Sequence, residues 1–198
     1  VIAGFIASVN KGIIQRCENG GSIKYKGTYT DKHIYIGGLV GQNGYVITDS
    51  RNSGIINAES YIASANKSLS VCIGGIAGSM AIDDEDPEDS AAGSIEYAIG
   101  RRFITKCLVT DSVNEGYITA KKDGAGGICG YMNHGIIIDS EGYGSVESTE
   151  GDFVGGICGE SLTIIKRCYV LCSVSGNQNV GGIAGYADTL QNCYAMAD

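Results

Sequence analysis

The residues of this chain most able to do chemistry are eight cysteines, two histidines and a set of aspartates that recur just ahead of serines. Nucleophilic catalysis needs a thiol or hydroxyl beside an imidazole that a third group orients. Neither His33 nor His134 has such a neighbour in sequence, and no H-E-x-x-H occurs. Zinc needs thiols converging at short spacing, and the closest case is Cys168 with Cys172, whose positions in a strand-and-corner setting send them to different walls. Asp49, Asp111 and Asp139 could line up as a carboxylate row of the kind that polysaccharide-cleaving β-helices use with calcium. They read more simply as an outward polar column, since the same position holds Arg16, Arg167 and Asn192 in other copies, and Asp–Arg pairing between copies would ease repulsion. The stretch DDEDPED at 83–89 sets carboxylates on both sides of Pro87; they repel one another, resist burial and mark a solvated excursion. It lacks the spacing and glycine of an EF-hand calcium loop. No residue is therefore assigned as catalytic, cofactor-binding or metal-ligating.

The elements that carry these residues are set by repetition. The hexapeptide AGGICG at 125 has near copies in IAGFIA at 2, IGGLVG at 36, IGGIAG at 73, VGGICG at 154 and VGGIAG at 180. No copy is followed by the Lys and Ser or Thr of a phosphate-binding loop, so the glycines read as architecture. They are expected to permit positive φ at a corner or close approach of successive backbones. A second block follows each hexapeptide and aligns without gaps from Ile14, Ile47, Val109, Ile137, Ile165 and Leu190. Its fourth column is always small, reading Cys17, Ser50, Ser112, Ser140, Cys168 and Cys193, and its tenth is Ile or Val wherever the copy is long enough.

Short β-branched stretches punctuated by Gly and Asn, without a helical period, predict about three strands per copy. One copy alone has too little core to fold, so copies must stack and share main-chain pairing with their neighbours. The chain thus reads as a single all-β array over 1–198, a parallel β-solenoid of about six turns with one inserted excursion in the third turn, at about 79–108. In that register Cys129 and Cys158 share a column with Ile6, Val40, Ala77 and Ala184, and Cys172 takes a glycine position, so these cysteines read as small buried residues rather than a disulfide framework. Stacked thiols about 4.8 Å apart lie beyond the usual Cβ separation of a disulfide. Cys72 and Cys107, which flank the insert, are the pair that could staple it.

Composition narrows the partners. A formal charge of −8 and pI near 4.7 leave no basic stripe for nucleic acid or an anionic membrane surface. No apolar run approaches the length of a membrane-spanning helix. The first and last copies start and stop within a repeat, which reads as a segment of a longer protein with further repeats or domains beside it.

With these residues in place, IGGLVGQNGYVITDSRNSGIINA and VGGIAGYADTLQNCYAMAD resemble GLUG-motif repeats, named for a Gly-Leu-x-Gly core. The resemblance covers nearly the whole chain. The core Leu is kept at Leu39 and replaced by Ile in later copies, and the first copy has lost two core glycines. Such repeats occur in bacterial surface proteins, including adhesin-like proteins and non-catalytic parts of immunoglobulin A-cleaving metallopeptidases. The resemblance implies an extracellular or cell-surface location and a non-enzymatic stalk that offers an interaction surface to a host protein or glycan. The alternatives are a carbohydrate-active β-helix enzyme and an accessory segment positioning a distant peptidase domain. Binding would use what varies between copies: the insert, the loop KGTYTDKHIY at 26–35, and Tyr131 and Tyr186, which could stack on sugars or cover the wall.

Overall fold

A computed structural model of the protein describes residues 1–29, 33–62, 71–81, 107–121 and 124–196. The acidic stretch 83–89, with nearly all of the predicted insert, lies outside the described residues, as does the centre of the loop at 26–35. The described chain is a parallel β-solenoid, and no described residue is helical. No helix is long and apolar enough to cross a membrane among the described residues.

Four sheets run the length of the stack, and every strand pairing in them is parallel. The second copy shows one full rung. Ile34–Gly37 enters the first sheet; Val40–Asn43 and Val46–Thr48 form the second; Arg51–Asn52 the third; Ile55–Ile62 the fourth. Register is kept from rung to rung. Val40 stacks with Ala77, Ala77 with Cys129, Cys129 with Cys158 and Cys158 with Ala184. In the first copy Ala7, not Ile6, falls under Val40, so that copy sits one residue out of the expected alignment.

Each rung encloses two apolar compartments. Leu39, Ile76, Ile128 and Ile157 fill one together with Ile47, Val109, Ile137 and Ile165. Ile34, Ile36, Ile73 and Val154 fill the other with Ile56, Ile118 and Val146. The glycine pair is where the chain passes from the second compartment to the first. A Cβ on Gly38 would lie 2.0 Å from the Gly75 carbonyl oxygen of the next rung and 2.7 Å from Asn52 Oδ1 across the rung. The third glycine of the motif touches the first sheet: a Cβ on Gly78 would meet the Ile36 nitrogen at 2.4 Å. None of the paired glycines has a left-handed φ, so close approach, one of the two expected reasons, is the operative one. At the N-terminal edge Phe5 replaces the second glycine, and its ring is 54% exposed.

The third rung is interrupted. Ser79 and Met80 remain paired with Tyr131 and Met132, and Leu108 pairs with Ile136, so the excursion is shorter than expected at both ends. Cys72 lies in the first sheet opposite Tyr35, whereas Cys107 precedes the returning strand of the second sheet. The structure records both as thiols, so the expected staple is not formed.

Candidate functional site

The small column is a hydrogen-bond ladder. Ser50, Ser112 and Ser140 each donate their hydroxyl to the carbonyl two residues earlier, Thr48 at 2.7 Å, Thr110 at 2.8 Å and Ile138 at 3.0 Å. Each also accepts a main-chain N–H from the neighbouring rung at 3.3 Å: Cys17 to Ser50, Ser50 to Ser112, Ser112 to Ser140. Cys17, Cys168 and Cys193 direct their sulfurs to the same carbonyl, at 3.5, 3.4 and 3.4 Å. Serine and cysteine interchange here because both are small donors that fit one space. Cys129 and Cys158 are fully buried in the first compartment, where burial and the neighbouring Cys129 push the Cys158 thiol far up. Burial likewise raises Cys172, to about 11.

The aspartate column has a conformational cause. Arg16, Asp49, Asp111, Asp139, Arg167 and Asn192 all have φ between 49° and 53°, the left-handed region. Among non-glycine residues Asp and Asn adopt it most readily, which accounts for their recurrence at this corner. Neighbours offset the charge. Arg167 donates to Asp139 from Nε at 2.6 Å and from Nη2 at 2.5 Å, and Gln15 donates to Asp49 at 3.1 Å. The expected Asp–Arg pairing between rungs is present. No group of three or more His, Cys, Asp and Glu side chains arranged to hold a metal occurs among the described residues. His33 stacks on Tyr35 at 5.7 Å, while His134 bonds Asn133 at 2.9 Å two rungs away, so the histidines do not meet.

The third sheet holds an internal feature that the residue columns had not revealed. Asn19 donates to Asn52 at 2.8 Å, and Asn52 donates to Asn114 at 2.7 Å, all three fully buried. Each asparagine also bonds main chain in its own rung, so the ladder ties the corner of each rung to the next. The signal was present in the sixth column of the block, which reads Asn in the first three copies.

Tyr131 and Tyr186, which follow the hexapeptide in their copies, share one column two rungs apart. Both lie in the outward column of the second sheet, and Glu160 stands between them in register. Desolvation raises the Glu160 carboxyl, and burial followed by the Glu160 charge raises Tyr131. Tyr186 donates to Asp188 at 3.0 Å, which raises its hydroxyl too. A second tyrosine set, unforeseen, covers the third sheet. Tyr169 stacks on Tyr194 at 5.5 Å, and Tyr143 lies tilted at 6.0 Å from Tyr169. Tyr143 donates to Glu141 at 2.7 Å, pushing its own hydroxyl up to about 12. Leu171 and Met196 are exposed on the same wall. In earlier rungs that wall is charged: Glu18, Arg51 and Glu115 occupy it, with Arg51 and Glu115 ion-paired. This wall thus turns from charged to aromatic along the axis.

What the geometry defines is a repeat-built parallel β-solenoid whose third-sheet wall carries tyrosines over its fourth to sixth rungs. No protein family, curated protein or solved structure matches the chain.

Proposed function

We propose that the chain is a non-enzymatic segment of a bacterial cell-surface protein, a rigid stalk that also presents a binding face to a host protein or glycan. One observation carries this reading. Residues able to do chemistry in the uniform columns are engaged in packing or in ladders between rungs, while residues that differ between rungs gather outside as two tyrosine sets beside carboxylates. Aromatic rings give apolar contact area, and adjacent carboxylates accept hydrogen bonds from sugar hydroxyls or from a protein partner. The location at the cell surface follows from the resemblance to GLUG repeats.

The test is binding of the 198-residue chain to an array of neutral and acidic mammalian glycans and to cultured epithelial cells. Retention on either, lost in a Tyr131→Ala, Tyr186→Ala double variant whose thermal unfolding is unchanged, supports the proposal. Absence of binding to both probes, or glycans released in shortened form, overturns it; the latter outcome favours the carbohydrate-active alternative.

A further inference from the structure

Adjacent thiols occur at one place in the small column. Cys168 and Cys193 stand in neighbouring rungs, and the Tyr194 N–H bonds the Cys168 carbonyl at 2.9 Å. The strands that follow are in register, Tyr169 on Tyr194, so the two Cα atoms are one rung apart. That spacing, about 4.8 Å, falls inside the range of about 4.4–6.8 Å that disulfides span. Cys193 Sγ sits between the carbonyls of Gln191 and Ile165, at 3.4 and 3.5 Å, on the side facing the Cys168 rung. The two differ in access: Cys193 is half-buried, whereas Cys168 is 2% exposed beneath it.

Four other cysteines lack one part of this arrangement. Cys17 has Ser50 as its column neighbour, Cys129 and Cys158 are stacked but fully buried, and Cys172 stands below no second thiol. The interaction of the two thiols lowers Cys193 and raises Cys168, so the accessible sulfur is the one of the pair that ionises first.

We propose that Cys193 and Cys168 form an oxidation site in which Cys193 attacks a low-molecular-weight disulfide and Cys168 resolves the product into a bond between rungs. In the first step Cys193 Sγ bonds one sulfur of the small disulfide, whose S–S bond breaks and expels a thiolate that takes up a proton. In the second, Cys168 gives up its proton and its sulfur attacks Cys193 Sγ, displacing the second small thiol. Two protein thiols are oxidised and one small disulfide is reduced to two thiols. The Cβ atoms of stacked residues are farther apart than the usual disulfide separation of about 3.8 Å, so the product is strained and readily reduced. The site does not depend on the proposed binding function.

The experiment treats the chain with oxidised glutathione at neutral pH, quenches with acid, alkylates, and maps peptides by mass spectrometry. The expected product is a Cys168–Cys193 bond, formed about tenfold or more faster than any adduct at Cys17 or Cys172 and reversed by excess thiol. Cys168→Ser is expected to retain glutathione on Cys193, and Cys193→Ser to leave Cys168 unmodified. Serine is native to this column in three rungs, so both variants keep the ladder, which circular dichroism checks. Modification of Cys17 or Cys172 at the rate of Cys193, a lasting adduct on the unsubstituted protein, or no reaction at all would each overturn the proposal.

Discussion

The left-handed corner shows how a residue type that suggests chemistry can be chosen for its backbone. Asp111 sits at φ 49°, so Asp111→Asn is expected to leave stability nearly unchanged, while Asp111→Val, forcing a β-branched residue into that region, costs about 1–2 kcal/mol in urea unfolding. Added calcium is expected to shift neither midpoint; a rise abolished by Asp111→Asn would restore the calcium reading of the aspartate row. The buried asparagine ladder predicts a larger effect. Asn52→Ala orphans polar atoms of Asn19 and Asn114, at about 1–3 kcal/mol each, so a total near 3 kcal/mol is expected by the same measurement. Glu160 supplies a pH signature. Its folded pKa lies above the ordinary carboxyl value, so between the two the native state holds more protons than the unfolded state, and stability falls as pH rises through that window. Glu160→Gln should flatten this slope without lowering stability at neutral pH, read from thermal midpoints between acid and neutral buffers.

At the scale of the strand and corner, the glycine motif records where main chains touch. Gly38→Ala places a methyl against the Gly75 carbonyl, and a loss of about 3 kcal/mol or more is expected from overpacking between backbones that cannot retreat. Gly12 is the internal control, since a Cβ there meets nothing within 4 Å, and Gly12→Ala should be neutral. The parallel stacking was legible because identical positions in successive copies carried the same class of side chain, and vertical uniformity has few physical causes other than stacking; the strand count was not, since a full rung holds five short strands where three were expected. The partition into two compartments was not, because Ile36 and Leu39 look alike in sequence although the chain crosses between cores at Gly37 and Gly38. The first copy slipped by one residue because Phe5 and Ile6 blur the glycine marker that anchors the alignment. Tyr131 and Tyr186 were legible from their shared position after the hexapeptide, whereas Glu160 between them was not singled out, because a lone carboxylate in that column carries no aromatic signal. Tyr143 escaped notice because it reaches Tyr169 from a different column of the block, a diagonal contact that a vertical alignment does not display.

Across the whole molecule, the interrupted third rung tests whether the excursion is needed for folding. Cys107 and Gly135 both have left-handed φ, 55° and 86°, and Met80 and Leu108 align with Met132 and Ile136. The fourth rung closes the same gap with Asn133, His134 and Gly135 alone. Replacing residues 82–106 by a single glycine between Ala81 and Cys107 should therefore give a folded chain with cooperative unfolding and a midpoint within several degrees of the parent. Loss of the β-sheet circular dichroism signal would show instead that the excursion supplies part of the core. Because most inner columns are held in common while the outer wall is free to differ, reach and address can be set independently in such a stack. Adding or removing a rung moves the tyrosine face along its axis by one strand spacing, as a mark is moved along a ruler, and leaves the face itself unaltered.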